Sequence, residues 1–117
     1  MKRFLLLLLL SLVSMAGCRK SPETILGKAP RGELRTILSV RAGDTPRQVT
    51  LSGMMIEKCP VAGCWFRLDD GTGTIKVDTK SAGFVVVNVP LETKLTVSGK
   101  IVTEGDEVSI QASGIRY

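Results

Sequence analysis

The sequence predicts an all-β domain, a small five-stranded Greek-key barrel, behind an N-terminal export signal and a short polar tether. Short apolar runs rich in Val, Ile and Thr recur from residue 36 to residue 117, and Gly and Asp turns separate them. Several runs alternate apolar and polar residues with a period of two, which is the period of a strand that buries one face. Five such runs, with one long connection between the third and the fourth, are typical of a small closed barrel.

Each strand is predicted from its own alternation and from the turn that follows it. In the first strand Val49 and Leu51 share one face, and polar side chains occupy the other. The glycines of the Asp-Asp-Gly-Thr-Gly segment, residues 69–73, suit a hairpin turn between the second and third strands. The five predicted strands cover residues 47–58, 64–68, 74–78, 95–102 and 108–112.

The long connection between the third and fourth strands covers residues 81–91. The stretch from Phe84 to Pro90 contains too many β-branched residues, and is too short, to predict a helix. We therefore expect an irregular or extended connection whose apolar side chains plug one end of the barrel.

The segment Trp-Phe-Arg-Leu-Asp-Asp-Gly-Thr-Gly-Thr-Ile-Lys-Val, residues 65–77, resembles strands two and three of the OB-fold. Residues 97–101, followed by residues 108–112, resemble strands four and five of the same fold. The resemblance covers residues 36–117, and it implies a five-stranded OB-fold barrel.

A narrower resemblance lies in the Cys-x4-Cys-Trp segment, residues 59–65, and in the Gly-Phe-Val stretch at residues 83–85. Both are similar to segments of small bacterial envelope proteins of the OB class, whose function is not established. This resemblance implies a fold and a location, and it implies no activity.

The first 18 residues predict an export signal. Lys2 and Arg3 precede an apolar stretch, residues 4–17, which is shorter than the roughly 20 residues that a membrane-spanning helix needs. Small residues precede Cys18, and the sequence Ala-Gly-Cys that ends there resembles the lipobox of bacterial lipoproteins.

The lipobox resemblance implies that signal residues 1–17 are removed and that Cys18 is acylated, palmitate being among its chains. Residues 18–35 are then a lipidated polar tether, and residues 36–117 are the OB-fold domain. Arg19 stands where an aspartate often retains such proteins in the inner membrane. This favours the periplasmic face of the outer membrane.

Composition excludes several classes of function. The chain contains no histidine, which excludes Ser-His-Asp and Cys-His catalysis and zinc sites with His ligands. Removing Lys2 and Arg3 from the 16 basic residues leaves 14 against 11 acidic ones, so the exported chain has a net charge of +3 rather than +5. So small a net positive charge does not indicate a nucleic-acid-binding protein. We expect a protein that is not an enzyme and needs no cofactor.

Cys59 and Cys64 are predicted to lie in the loop between the first two strands, and we expect them to form a disulfide. Exported proteins meet an oxidising compartment, and small domains often need covalent crosslinks. Pro60 and Gly63 allow the chain to turn back on itself. Because the loop is short, such a bond would stabilise the fold by only about 2 kcal/mol.

Two other interpretations of this cysteine pair remain open. A Cu(I) site could combine Cys59 and Cys64 with Met54 or Met55, because thiolates and thioethers suit soft metals. Adjacent methionines point to opposite faces of a strand, so at most one of them could join the cysteines. A redox dithiol is the third interpretation, although the spacing differs from the Cys-x-x-Cys motif of thioredoxin-like proteins.

The expected binding face comprises Trp65, Arg67 and Lys76, because OB-folds bind ligands on the face of their second and third strands. A non-enzymatic envelope lipoprotein would bind a partner protein or a small ligand there, assisted by the loop between Cys59 and Cys64. Single-stranded nucleic acid is the alternative ligand that the fold suggests. A stacking platform needs several aromatic side chains, and the whole chain has only one Trp, one Tyr and three Phe.

Overall fold

The computed structural model describes residues 23–117, so the predicted signal and the lipidation site at Cys18 lie outside the described residues. In chain order, the elements are β1 (Ile25–Gly27), β2 (Leu34–Arg35), α1 (Ile37–Ala42), β3 (Gln48–Lys58), β4 (Trp65–Asp69), β5 (Thr74–Asp78), β6 (Lys94–Glu104) and β7 (Glu107–Arg116). A short 3-10 turn, Lys80–Ala82, follows β5. Within residues 23–117, no helix has the length and apolar character needed to cross a membrane.

Strands β3 to β7 close into a barrel. β3 pairs antiparallel with both β4 and β6, β4 pairs antiparallel with β5, and β6 pairs antiparallel with β7. A parallel pairing between β5 and β7 completes the circle. This is the five-stranded OB-fold barrel that the sequence predicts, and the five predicted strands correspond to β3 through β7.

The barrel interior is filled by side chains that alternate inward along each strand. Phe66 and Leu68 of β4, with Ile75 and Val77 of β5, are fully buried. Burying a large apolar side chain stabilises a fold by roughly 1.5–3 kcal/mol. The polar residues between these positions point outward, so the packing that holds the barrel together also arranges its outer face.

The connection between β5 and β6 is irregular after its 3-10 turn, as the sequence predicts. Val86 and Val89 are buried within the main apolar core, whereas Val85 and Val87 remain half exposed. The connection therefore contributes Val86 and Val89 to the core and presents Val85 and Val87 to solvent.

The structure differs from the predicted tether in its second half. Ile25–Gly27 pairs antiparallel with the end of β7, and Leu34–Arg35 runs parallel to β3. Thr24 and Tyr117 exchange two backbone hydrogen bonds of 2.7 and 3.0 Å. The apolar Leu26 within this segment packs against the core, which a purely polar tether would not do. Sheet pairing thus begins before residue 36.

Helix α1 was not predicted, and its two ends explain why it forms. The Thr36 side chain accepts a hydrogen bond from the N–H of Ser39, and Gly43 ends the helix in the left-handed conformation. Ile37 and Val40 lie one turn apart and bury the same helix face. Six residues give too short an apolar period to stand out from the surrounding strand pattern.

Asp70 attaches α1 to the turn between β4 and β5. Its carboxylate accepts the N–H of Ile37 at 2.8 Å and both the N–H and the hydroxyl of Thr72 at 2.9 and 2.6 Å. Partial burial alone would raise the pKa of Asp70, but the hydrogen bonds from Thr72, Ile37 and Gly73 outweigh it and lower the pKa. The charged form of Asp70 is therefore more favourable in the folded state than in the unfolded state.

The change Asp70→Asn tests this attachment, and we expect it to lower the free energy of unfolding by about 1 kcal/mol at pH 7. Because the folded-state pKa is lowered, the stabilisation is fully present above the ordinary aspartate pKa of about 4 and is lost as the pH falls through the lowered value. Urea denaturation of both proteins between pH 7 and pH 3 should therefore show a difference that shrinks in acid.

Asp69→Asn is the matched control, because the Asp69 carboxylate accepts only the N–H of Gly71 within its own turn, at 2.8 Å. Its effect should be smaller than that of Asp70→Asn. Equal losses in the two variants, or a difference that grows in acid, would contradict the role given to Asp70.

Candidate binding face and cysteine loop

The outer face of β4 and β5 carries the three residues predicted to bind a ligand. Trp65, Arg67 and Lys76 are each partly exposed, and they alternate with buried residues along their strands. Arg67 lies directly opposite Lys76 in the antiparallel register. The Lys76 ammonium lies 5.4 Å from the centre of the Trp65 ring, which is the geometry of a cation–π contact. The structure therefore brings these three side chains together.

Acidic side chains also lie on this part of the barrel. Glu57 of β3 lies 3.9 Å from the Arg67 guanidinium. A small cavity of about 150 Å³ beside the face is lined by Lys76, Asp78, Glu104, Glu107 and Ser109. The charge of the face is consequently mixed and does not form a continuous basic track.

The loop between β3 and β4 is a tight turn that backbone hydrogen bonds hold at both ends. The Cys59 N–H donates to the Trp65 carbonyl at 3.0 Å, and the Gly63 N–H donates to the Cys59 carbonyl at 3.1 Å. The Cys64 carbonyl accepts the N–H of Thr79 at 2.9 Å. These bonds join both cysteines to the barrel framework, so the loop has a defined shape.

Gly63 packs against the connection between β5 and β6. Its carbonyl accepts the N–H of Val86 at 2.8 Å, and its φ of +60° is left-handed. A Cβ atom at this position would lie 2.5 Å from the backbone nitrogen of Val87. Only glycine therefore permits this contact without displacing backbone.

Cys59 and Cys64 are both free thiols and both partly exposed in the structure. Backbone N–H groups of Ala62, Val61 and Gly63, with the thiol of Cys64, donate toward the Cys59 sulfur and lower the Cys59 pKa to about 7. Sequence reasoning missed this effect, because spacing alone does not show where the amides of a turn point. The disulfide between the two residues stays a prediction.

The two methionines are not brought to the cysteines. Met55 is fully buried in the core, and Met54 is 44% exposed on the opposite side of β3. Met54 lies opposite Asp69 in the sheet register, five residues and roughly 16 Å along the strand from Cys59. Within residues 23–117, no group of three or more His, Cys, Asp or Glu side chains is placed to hold a metal ion.

Sequence reasoning also missed an apolar rim, formed by Val61 in the cysteine loop with Val85 and Val87 in the β5–β6 connection. Val61 is 87% exposed, and the other two valines are nearly half exposed. Lys58 extends its ammonium to the carbonyls of Val87 and Val89, and so fixes this connection beside the loop. The sequence gives no signal for this rim, because Val85, Val86 and Val87 are identical residues and only the structure shows that Val86 is the buried one.

The comparisons with known proteins concern the fold. No protein-family model matches the sequence, and no curated protein sequence matches it. A solved structure described as the hypothetical protein ygiW from E. coli is similar over 74% of this chain and 90% of that chain, with 23% identity and a TM-score of 0.55. A replication protein A heterotrimer bound to ssDNA includes a chain that is similar over 61% of this chain and 57% of its own length, with 18% identity and a TM-score of 0.50.

At these identities the two likenesses show a shared OB-fold. A shared fold does not fix a function, and the likenesses identify no ligand for this chain.

The role of the turn amides is tested by Gly63→Ala, because the added Cβ must displace the turn from Val87. We expect the Cys59 pKa to rise from about 7 toward the ordinary cysteine value of about 8.5. The measurement is the rate of iodoacetamide alkylation of Cys59 against pH, with fragment-ion mass spectrometry to separate the two cysteines.

Gly71→Ala is the control, since Gly71 also has a left-handed φ, of +85°, but open space where a Cβ would stand. It should share the backbone strain and leave the alkylation profile of Cys59 unchanged. A profile that Gly63→Ala does not move would show that the turn amides are not the cause of the lowered pKa.

Proposed function

We propose that this protein is a non-enzymatic lipoprotein of the bacterial envelope, anchored through Cys18, that binds a partner protein and needs no cofactor. The binding surface comprises the outer face of β4 and β5, with Trp65, Arg67 and Lys76, together with the loop between Cys59 and Cys64. A small ligand at the same face is the second form of this proposal.

The apolar rim at the cysteine loop, which leads directly into Trp65, is the observation that carries the proposal. Single exposed apolar residues are ordinary on a protein surface, but groups of them beside a half-buried aromatic side chain are typical of protein interfaces. Val61 and Val87 lie on two segments that meet at Gly63, so the rim is held in place by the fold. A partner would cover it without ordering a mobile loop, which limits the entropy lost on binding.

The pairing of Arg67 with Lys76 supports the same surface. Like charges directly opposite each other in an antiparallel pair destabilise a sheet, and this pair lies at the centre of the β4–β5 register. Glu57 and the Trp65 ring compensate only in part, since Glu57 lies 3.9 Å from Arg67 and is itself well exposed. An acidic group of the partner between the two cations would remove the repulsion.

Cavity volumes favour a partner protein over a small ligand at this face. The cavity that includes Lys76 measures about 150 Å³, whereas pockets for small molecules usually measure roughly 300–1,000 Å³. A larger cavity of about 400 Å³ is lined by residues that include Lys28, Lys100 and Gln111. It includes none of the three residues of the predicted face.

The nucleic-acid alternative receives less support from the geometry. Binding to single strands combines a basic groove with successive stacking aromatics. On the outer face of β4 and β5 the one aromatic residue is Trp65, and Asp78, Glu104 and Glu107 would repel phosphates near Lys76.

Site-specific crosslinking in the native host tests the binding surface. A photo-reactive residue in place of Val61 should yield one discrete crosslinked product. The double change Trp65→Ala with Arg67→Glu should reduce its yield about ten-fold, as expected when central interface residues are removed. Gln48→Ala with Lys100→Glu is the matched control on β3 and β6, and it should leave the yield unchanged. Loss of the product in the control alone would contradict the assignment of the surface.

Titration with single-stranded oligothymidine distinguishes the nucleic-acid alternative. Trp65 is the only tryptophan of the chain, so its fluorescence reports directly on this face. We expect no quenching at low or at physiological salt. Quenching that weakens steeply with salt would overturn the protein-partner proposal in favour of nucleic acid, because released counterions drive such binding.

The anchor is tested separately by Cys18→Ser in the full chain. We expect the variant to lose lipid labelling and to leave the membrane fraction, because a single replaced atom removes the acylated thiol. A variant that stays in the membrane with the same mass as the original protein would contradict lipidation at Cys18.

A further inference from the structure

We propose that a cavity at one end of the barrel binds a small amphipathic anion, in which an apolar ring or short chain carries one carboxylate or phosphate group. This end cavity lies between α1, with the loop that follows it, and the hairpin of β6 and β7, and its volume is about 530 Å³. Among the described residues that line it, none belongs to β4, β5 or the cysteine loop. The inference therefore goes beyond the proposed function and does not depend on it.

Strand pairing and helix α1 build the end cavity. The start of β3, the end of β6 and the start of β7 meet at one end of the barrel, because β6 pairs antiparallel with both other strands. The N–H of Ile101 donates to the Arg47 carbonyl at 2.9 Å, which fixes the main chain of Arg47 beside β6. On the helix side, Gly43 ends α1, and the Asp44 N–H donates to the Ser39 carbonyl at 3.0 Å. Backbone hydrogen bonds therefore define the cavity before a ligand enters.

The end cavity reaches the apolar core. Val40 of α1 lines the cavity, is only 4% exposed and belongs to the core. Ile101 and Val108 also line it, and both are partly buried side chains that pack against the core. They share the inward face of their hairpin, since Ile101 lies opposite the buried Ile110 and Val108 precedes Ile110 by two residues. An apolar ring or chain that covers these side chains would remove them from water, which favours binding.

Two arginines make the end cavity positive. Arg41 and Arg47 both line it, and no acidic side chain is among its described lining residues. Within residues 23–117, neither arginine forms an ion pair with a carboxylate. The Arg41 guanidinium donates from Nε and Nη2 to the Thr74 carbonyl, which positions it through two of its five N–H groups. Arginine binds carboxylates and phosphates through paired N–H···O bonds, so an oxyanion is the charged part of the ligand.

Thr45 is an independent indication of a ligand. Its side chain belongs to the lining of the end cavity. Its hydroxyl is buried, and it has no hydrogen-bond partner among the described residues. Native proteins leave few buried hydroxyls unpaired, because the hydrogen bonds lost from water cost free energy. An oxyanion in the cavity would supply the missing acceptor once the side chain rotates about its Cα–Cβ bond.

The size and the mixed lining agree with this class of ligand. Pockets for small molecules usually measure roughly 300–1,000 Å³ and combine apolar surface with a few polar groups. A purely apolar ligand would desolvate two cations without pairing them, which costs free energy. An inorganic anion would leave the apolar side chains in water. Only a ligand with both parts uses the whole cavity.

Methyl NMR tests the proposal on the full chain in phosphatidylcholine nanodiscs, with isotope-labelled Ile and Val methyl groups. Benzoate and phenyl phosphate are the probes. Benzyl alcohol carries the ring without the charge, and acetate carries the charge without the ring. We expect at least one probe to shift the methyl signals of Val40, Ile101 and Val108 saturably and to leave those of Val61 and Val85 unchanged. Benzyl alcohol and acetate should bind at least about ten-fold more weakly. The anion that binds more tightly identifies the headgroup.

Arg47→Glu is the first variant, because Arg47 is exposed, whereas Arg41 also holds the Thr74 carbonyl. We expect it to weaken binding of the tighter probe about ten-fold. Lys94→Glu is the matched control, since it makes the same change of charge at the first residue of β6, beside a different cavity. It should leave the affinity unchanged within about two-fold.

Thr45→Val removes the hydroxyl and keeps the shape of the side chain. We expect about three-fold weaker binding of the same probe. The urea midpoint should not fall, because the hydroxyl has no hydrogen-bond partner among the described residues. A lower midpoint with unchanged affinity would show that the hydroxyl serves the fold, and it would contradict the role given to Thr45.

Three other results would overturn the proposal. They are equal weakening by Arg47→Glu and Lys94→Glu, equal binding of benzyl alcohol and the two anions, and methyl shifts confined to Val61 and Val85. The last result would place the anion on the surface assigned to a partner protein. Failure of the crosslink at Val61 would leave the shifts at Ile101 unaffected, so the two proposals fail separately.

Discussion

The parallel pairing of β5 with β7 closes the barrel, and the other features of the molecule depend on it. It spans only three residue pairs, Lys76 with Ser109, Val77 with Ile110, and Asp78 with Gln111. Without it, β5 and β7 would each leave an unpaired edge, which invites association with other chains. The same three residues of β5 bury Val77 in the core and hold Lys76 outward against Trp65. The strand pairing that closes the barrel therefore also determines the geometry of the candidate binding face.

The cysteine loop depends on the connection that packs into the end of the barrel. Val86 is buried and also donates its N–H to Gly63, so core packing determines where the turn lies. Lys58 attaches the same connection from the other side through two carbonyls. The amides around Cys59 are thus oriented by apolar contacts several residues away. Loss of packing at Val86 would therefore alter the environment of the Cys59 thiol through the position of the turn.

The sequence predicted the barrel because alternation is a local signal, and Val49, Leu51, Ile75 and Val77 lie where their period places them. It could not predict β1, since three residues carry no period and their partner is the distant end of β7. The juxtaposition of Arg67 with Lys76 followed from the fold, because strand register alone brings them opposite each other. The environment of Cys59 did not follow, since it depends on the direction of individual amides in a turn. Val61 and its neighbours were missed because loop residues show exposure only once the core is known.

The pairing of the two ends of the described chain would limit the reach of a lipid-anchored protein. Thr24 and Tyr117 are hydrogen-bonded to each other, so the proposed lipid on Cys18 would lie only a few residues along the chain from the barrel. Five residue steps separate Cys18 from Glu23, and fully extended they span at most roughly 18 Å. A barrel tethered in this way would search a thin layer at the bilayer surface. Its encounters would be set by lateral diffusion and high local concentration, and a partner would have to reside in, or reach down to, the same membrane.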